Sequence, residues 1–221
     1  MNRGQIRQAT ADALRNVSFT RWTSAELDTY IDDGYREIAN RTGCVVSTVN
    51  ITCEAEERFV SLPAETLFPI AFRDITTGLP VGMCHWTLMD QDDNYFLRKT
   101  RNRPERVAAW GLKKLLLSQA YSAQSLLEMM AAICPIDGLQ TDGTSPDFPQ
   151  QHHEALVHYA HYRSLVKDAD GPRLGRALRQ YGYYEEKVAQ LTEWADERHE
   201  GIAQAMYGNW LRTERVGRGW L

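Results

Sequence analysis

The sequence predicts an α+β protein that is mainly α: an antiparallel helical bundle with a β-rich insertion between helices 2 and 3 and an extended C-terminal arm. Three observations predict this fold class. Apolar residues recur at helical spacing towards both ends of the chain, β-forming residues and turn signals dominate its middle, and its last residues combine tryptophan with arginine. We expect bundle helices in residues 1–43 and 136–207, the insertion in residues 44–135 and the arm in residues 208–221.

Composition is that of an ordinary globular protein. The 221 residues are 43% hydrophobic and 24% charged, and a chain of this length buries roughly 70% of its unfolded surface. A net charge of −4 argues against a molecule that binds polyanions over its whole surface. Because no apolar run is long enough for a membrane span and the N-terminus has no signal-peptide core, we expect a protein made in the cytoplasm, with no membrane partner.

The four cysteines have no metal-binding or redox spacing. Cys44, Cys53, Cys84 and Cys134 form no CxxC pair and lie among apolar or β-prone neighbours, so we expect reduced, buried thiols. Arginine supplies 20 of the 25 basic residues. The planar, forked guanidinium group of arginine suits ion pairs at protein interfaces, although a GC-rich coding sequence would give the same excess of arginine over lysine.

Helical signals are clearest in the second of two N-terminal helices. The first is expected over residues 3–16. The second begins at a Thr-x-x-Glu capping box of Thr23 and Glu26, with Trp22 and Leu27 placed as a hydrophobic staple. Gly43 is expected to end this helix in a left-handed conformation.

Short strands are expected between residues 44 and 135. The β-forming stretches are residues 45–52, 58–62, 71–76 and 85–89. Residues 114–122 could pair with residues 125–133 as a hairpin, although the second stretch also contains good helix formers.

The third and fourth helices are expected after a polar loop. Asp147 and Gln150 stand in capping-box spacing around Pro149, which predicts a third helix from there to about Lys167. A turn at residues 170–172 precedes a fourth helix that reaches about Tyr207. Beyond it, the arm carries residue types enriched at tight interfaces, which indicates a segment that becomes ordered on a partner, with folding back onto its own helices as the alternative.

Several segments together resemble the head-to-tail adaptor proteins of tailed bacteriophages. Residues 21–43, RWTSAELDTYIDDGYREIANRTG, resemble the N-terminal signature of this family. FVSLP at residues 59–63 resembles its strand-ending Leu-Pro, and RPERV at residues 103–107 its Pro-led entry into a strand pair. PDFP at residues 146–149, followed by apolar residues at 155–160, resembles the start of its third helix. The order and spacing of these segments carry the resemblance, which covers nearly the whole chain.

The resemblance implies a structural virion protein of the phage neck, or connector, and no enzyme. Copies would form a ring, usually of twelve, under the portal protein, extend the DNA channel and offer a docking platform to a downstream tail or nozzle protein. Genomic DNA would pass without sequence-specific contact. The family supplies no catalytic residue, cofactor or metal site.

Two sets of residues are candidates for these contacts. For the portal, we expect contact through the arm residues Trp210, Leu211, Arg212, Arg215, Arg218 and Trp220. At the wall of the DNA channel, cations would contact the phosphates of the DNA. There we expect the basic residues of the strand region: Arg98, Lys99, Arg101, Arg103, Arg106, Lys113 and Lys114. A solvated loop paired with acidic neighbours explains these residues equally well.

Two other functions are consistent with parts of the sequence. The same basic cluster could make the chain a nucleic-acid-binding module, which predicts salt-sensitive DNA binding by the monomer. Glu154, His158 and His161 are spaced i, i+4 and i+7 on one helix face, and with His152 and His153 nearby they could support a metal-dependent hydrolase. The HExxH motif is absent, however, and no further ligand obviously completes a coordination shell.

Overall fold

The computed structural model describes residues 1–16, 18–92, 100–111, 113–167 and 171–207. The helices within these residues are α1 (Arg3–Ala13), α2 (Ser24–Thr42), α3 (Trp86–Asp92), α4 (Glu154–Lys167) and α5 (Gly171–Tyr207). The strands are β1 (Val46–Cys53), β2 (Phe59–Ser61), β3 (Thr66–Asp74), β4 (Pro80–Met83), β5 (Thr100–Arg101), β6 (Arg106–Ala109), β7 (Lys114–Leu117), β8 (Ala120–Tyr121) and β9 (Ser125–Ile133).

The chain divides into two compact units. The first comprises Met1–Val45 and Ile133–Asp196, and the second comprises Val46–Ala132 with the described residues that follow Asp196. The middle of the chain is therefore inserted into the first unit, and α5 contributes its first part to one unit and its last part to the other.

In the first unit, helices α1, α2, α4 and the first part of α5 surround one apolar core. Their amphipathic faces follow from apolar residues three and four positions apart, which lie on one side of a helix. Leu191 and Val188 of α5 pack in the same cluster as residues of the other three helices. The large side chains of this core include Ile6, Ile31, Tyr35, Ile38, Phe148, Leu156, Tyr159 and Tyr184.

Helix α2 begins and ends where its sequence predicts, but the described hydrogen bonds include only the Thr23 half of the expected capping box, and the Glu26 carboxylate accepts from the Tyr30 hydroxyl at 3.3 Å. The hydroxyl of Thr23 accepts a hydrogen bond from the backbone N–H of Glu26, and Trp22 packs with Leu27. Gly43 closes the helix with φ +62° and ψ +19°, a conformation that costs glycine little because it has no Cβ.

Arginines of α1 connect α1 to α2 and to the loop before α4. Arg7 Nη1 donates to Asp28 Oδ2 at 2.8 Å, and Arg7 Nη2 donates to Asp142 Oδ2 at 2.6 Å. Arg3 Nη2 donates to Asp32 Oδ2 at 3.0 Å. The pairs with Asp28 and Asp32 are half-buried, so water and salt screen them less than the pair with Asp142, whose side chain is exposed.

The second unit is built on a seven-stranded sheet with the order β1-β9-β3-β4-β6-β7-β2. The sheet curls into a nearly closed barrel, while β5 and β8 form a separate parallel pair. Most neighbours are antiparallel, but β4 and β6 run parallel, with Gly82 opposite Arg106.

Both faces of the β6–β7 hairpin are buried. Val107 lies opposite Leu117 on one face, while Ala108 lies opposite Leu116 on the other. Helix α3 covers that second face by packing Met89 against Ala108 and Leu116.

The prediction of a mainly helical antiparallel bundle is wrong. The structure is α+β with 44% helix and 24% strand, and the strand region builds a barrel-like sheet of its own. The predicted stretches contain all or part of β1, β2, β3, β7 and β9, but the sequence predicted neither β4 and β5 nor the pairing of the strands. Strand β1 pairs with β9, so that Val46 lies opposite Ala132, and local periodicity carries no information about contacts that distant in sequence.

Two of the strand predictions are also wrong. Residues 85–89 belong largely to helix α3 instead of a strand, because a short alternating segment fits either structure and packing on the sheet decides between them. Residues 114–122 and 125–133 do not pair as a hairpin. Strand β7 pairs with β2 and β6, and β9 pairs with β1.

The predicted cap of the third helix is wrong as well. Asp147 accepts a hydrogen bond from the Tyr35 hydroxyl at 3.0 Å instead of capping a helix at Pro149. A single 3-10 turn, Gln150–His152, comes first, and α4 begins at Glu154.

Candidate functional site

Glu154 and His158, two of the residues proposed for a metal site, each bind a partner of their own. Glu154 forms an ion pair with Lys187 at 3.5 Å. His158 Nδ1 donates to Gln180 Oε1 at 2.9 Å. His161 is buried, and burial lowers its pKa to about 4, with Arg176 and His158 acting in the same direction.

The two histidines before α4 also take part in local structure. The N-terminal ammonium of Met1 donates to His153 Nδ1 at 2.7 Å, and His153 Nε2 donates to the Phe148 carbonyl at 2.9 Å. His152 is buried, which lowers its pKa. Among the described residues, no three His, Cys, Asp or Glu side chains converge as metal ligands, so the arrangement gives no support to a metal-dependent hydrolase.

The cysteines have the surroundings of structural thiols. Cys44, Cys53 and Cys84 are buried and reduced, as the sequence predicts, whereas Cys134 is half-buried. Burial raises the pKa of Cys53 to about 12, with Glu57 contributing. A thiol with so high a pKa is a poor nucleophile, because the thiolate is the reactive form.

The predicted basic cluster is divided by the structure. Arg101, Arg103 and Arg106 lie where the chain enters β6, whereas Lys113 and Lys114 lie at the far end of the same hairpin, beside Trp110. A strand advances about 3.3 Å per residue, so the hairpin separates the two groups by on the order of 10 Å. Arg98 and Lys99 lie outside the described residues.

The arginine group borders an open cleft in the second unit. The cleft has a volume of about 450 Å³ and is lined by Arg101, Asn102, Arg103 and Glu105. Arg101 forms an ion pair with Glu105, and Arg103 Nη1 donates to the Pro80 carbonyl at 3.1 Å. Each guanidinium has further N–H donors, so the cleft can bind an anionic group such as a phosphate.

Sequence reasoning missed a cluster of half-exposed aromatic rings. We call Phe59, Trp86 and Trp110 the aromatic patch. The centroid of the Trp110 ring lies 5.6 Å from that of Phe59 and 5.7 Å from that of Trp86, in edge-to-face contacts. The three side chains are 39–42% exposed. Because the rings come from β2, the start of α3 and the hairpin tip, only the sheet pairing could have brought them together.

The arm residues proposed for portal contact, Trp210, Leu211, Arg212, Arg215, Arg218 and Trp220, lie outside the described residues. Within the described part of the chain, no helix is long and apolar enough to cross a membrane.

Comparison with known proteins places this architecture in a family. The family described as SU10 adaptor protein matches residues 1–207, a range that contains both units and excludes the arm. A search of curated proteins gave no match. The match covers the N-terminal signature, the sheet and both C-terminal helices, and the chain therefore belongs to the SU10 adaptor protein family, a family of phage head-to-tail adaptors.

Proposed function

We propose that this adaptor forms a ring, of about twelve copies, under the portal of a tailed phage. The ring would extend the DNA channel and provide the platform on which the tail docks. The single observation that carries the proposal is the match of the adaptor family over residues 1–207. In this role the chain is a structural protein of the virion neck and needs no catalytic residue or cofactor.

The mechanism is geometric. Each copy would present two different side surfaces, and a fixed rotation between neighbours would close the ring. An assembly of this kind needs exposed apolar and charged side chains that the single chain leaves unused. The aromatic patch and the exposed Leu174 and Leu178 on α5, which are 47% and 59% exposed, are such side chains.

We assign the contact with DNA to the cleft lined by Arg101, Asn102, Arg103 and Glu105, which we call the arginine cleft. Arg101 and Arg103 line the cleft, and the neighbouring Arg98, Lys99 and Arg106 belong to the same stretch of chain. Contacts to phosphate would be independent of base sequence, which suits DNA that has to slide through a channel. Lys113 and Lys114 lie at the other end of the hairpin and need a different partner or a different part of the channel.

We assign the contact with the portal to the arm. Trp210 and Trp220 would bury large rings in the portal surface, and Arg212, Arg215 and Arg218 would form ion pairs at the rim, with Leu211 between them. The arm lies beyond the residues that the family matches, so this assignment rests on the residue types of the arm.

Binding to portal rings tests the proposal. The full chain and a chain ending at Tyr207 would each be titrated onto portal rings of the same phage, and the complexes imaged by negative-stain electron microscopy. We expect the full chain to form a ring on the portal. We expect the truncated chain to stay folded, by circular dichroism, and to lose at least tenfold in affinity.

A pair of full-length variants separates the arm's anchors from its length. W210A/W220A should bind at least tenfold more weakly, while the matched control T213A/E214A should bind like the wild type. Normal affinity of the truncated chain would show that the arm assignment is wrong. Absence of any ring on the portal in the wild type would overturn the proposed function itself.

A further inference from the structure

The aromatic patch is a surface that the single chain leaves incomplete. Its three rings lie on the face of the sheet that α3 covers, since Phe59 is paired with Leu116, and Leu116 packs under Met89. The small core formed by Cys84, Met89, Ala108 and Leu116 is thus bordered by rings that still expose about two fifths of their surface. Adjacent half-exposed aromatic rings of this size are typical of protein interfaces.

Two lysines next to the patch indicate the charge of its partner. Lys113 and Lys114 follow Trp110 around the hairpin tip, where the backbone N–H of Trp110 donates to the backbone carbonyl of Lys114 at 2.8 Å. Both side chains are exposed, and neither has an ion pair within the described part of the chain. A partner that covers the rings would therefore gain from carboxylates at matching positions.

The chain itself contains a surface with these properties. Gly182, Glu186, Ala189 and Glu193 are spaced i, i+4, i+7 and i+11 on α5, so they share one helix face, and all four are exposed. We call them the acceptor face. The two glutamates have no ion pair among the described residues, and they lie about 10 Å apart along the helix.

Gly182 gives a second reason to expect a partner on this face. A glycine inside a helix costs about 0.5–1 kcal/mol relative to alanine. Packing within the described part of the chain does not require this glycine, because a Cβ on Gly182 would meet no heavy atom there within 4 Å. Small side chains at residues 182 and 189 leave room for a bulky ring, and Glu186 and Glu193 flank that room.

We infer that the aromatic patch with Lys113 and Lys114 binds the acceptor face of a second copy of this chain. The contact joins two different surfaces, so it repeats head to tail, and repeated head-to-tail contacts close into rings. The inference rests on the proposed function, because it supplies the side-to-side contact that the ring needs. It also gives the two lysines a role separate from that of the arginine cleft.

Charge reversal tests the contact. The variants K113E/K114E and E186K/E193K would each be added to portal rings, and the copies bound would be counted by native mass spectrometry. Each reversal places like charges across the contact, so we expect each variant alone to assemble at least tenfold less than the wild type. The control E57K/E65K changes charge by the same amount on exposed residues outside both surfaces, and it should assemble normally.

A mixture of the two variants is the decisive sample. In an alternating ring, the glutamates at 113 and 114 of one variant meet the lysines at 186 and 193 of the other. The opposite contact pairs the native lysines with the native glutamates. We therefore expect an equimolar mixture to regain most of the wild-type assembly and to contain both variants in equal numbers.

The aromatic rings are tested separately from the charges. W110A should reduce assembly at least tenfold while leaving the melting temperature within a few degrees, because the ring is partly exposed. Normal assembly of both reversal variants, or no recovery in their mixture, would show that this contact is wrong without contradicting the proposed ring. If the wild type forms no ring on the portal, both the contact and the proposed function fail.

Discussion

His161 shows how strongly one buried side chain can depend on its surroundings. It is 6% exposed, and its Nε2 has no hydrogen-bond partner among the described residues. Burial, with Arg176 and His158 nearby, lowers its pKa to about 4. In the unfolded chain the same imidazole titrates near 6.5. Between these two values the unfolded chain binds more protons than the folded chain, so the folded state loses stability as the pH falls.

We therefore predict that H161L has a flatter pH dependence of stability than the wild type. From pH 6.5 down to pH 4, protonation of this histidine should lower the wild-type free energy of unfolding by up to about 3 kcal/mol. Urea unfolding at a series of pH values measures this, and the difference between the two proteins removes the contribution of the carboxyl groups. Equal slopes in both proteins would contradict the assignment.

At the scale of elements, α2 and α4 approach each other through Gly34. A Cβ at this position would lie 2.7 Å from Cδ1 and 3.0 Å from Cγ of Tyr159, whose ring is buried. The neighbouring Tyr184 ring packs on Tyr159 with centroids 5.1 Å apart, so the Tyr159 ring has little room to move. The glycine that the sequence places beside the apolar face of α2 is thus required by close packing.

We predict that G34A destabilises the protein by about 1–3 kcal/mol, because the overlap with Tyr159 outweighs the gain in helix propensity. The matched control is G175A on α5, where a Cβ would meet nothing within 4 Å. That change should stabilise the protein by up to about 1 kcal/mol. Thermal and urea unfolding of both variants provide the measurement, and a G34A protein as stable as G175A would show that the packing is looser than described.

Individual elements were largely predictable because their signals are local. Thr23 and Gly43 mark the two ends of α2 through hydrogen bonding and φ alone. The prediction failed where a short segment depends on what covers it, as in α3, whose Met89 packs on the sheet. It failed again at Asp147, because Tyr35, more than a hundred residues earlier, binds the carboxylate that was assigned to a cap.

At the scale of the molecule, the two points where the chain leaves and re-enters the first unit around residues 46–132 are adjacent. The Ile133 N–H donates to the Val45 carbonyl at 2.9 Å, just outside the stretch Val46–Ala132 that the second unit contributes. The first unit has its own apolar core, which includes Tyr35, Leu156 and Tyr184. Its two chain segments are therefore already held together at the place where the insertion begins and ends.

We predict that the first unit folds without the second. Joining Val45 to Ile133 through Asn-Gly, which favours a two-residue hairpin turn, and ending the chain at Asp196 should give a helical protein with one cooperative unfolding transition. Circular dichroism and thermal unfolding test this. A fragment that has helical signal but no cooperative transition would show that the first unit depends on the second for its packing.

The two candidate surfaces differ in the same way: one consists of residues that are neighbours in sequence, and the other depends on contacts between residues distant in sequence. The arginine stretch from Arg98 to Arg106 is continuous in sequence and could be singled out without a structure. The aromatic patch could not, because Phe59, Trp86 and Trp110 meet only after β2 pairs with β7 and α3 packs on the hairpin.

The sequence alone determined the two ends of α2, the burial of three of the four cysteines and, through the order of its segments, the adaptor family. These depend on residues near one another in the chain or on a pattern that can be read along it. Only the tertiary structure decided that the strands curl into a nearly closed barrel and that Lys113 and Lys114 lie at the opposite end of the hairpin from the arginines. The physical reason is that strand pairing joins residues distant in sequence, and one change of partner alters which side chains share a surface.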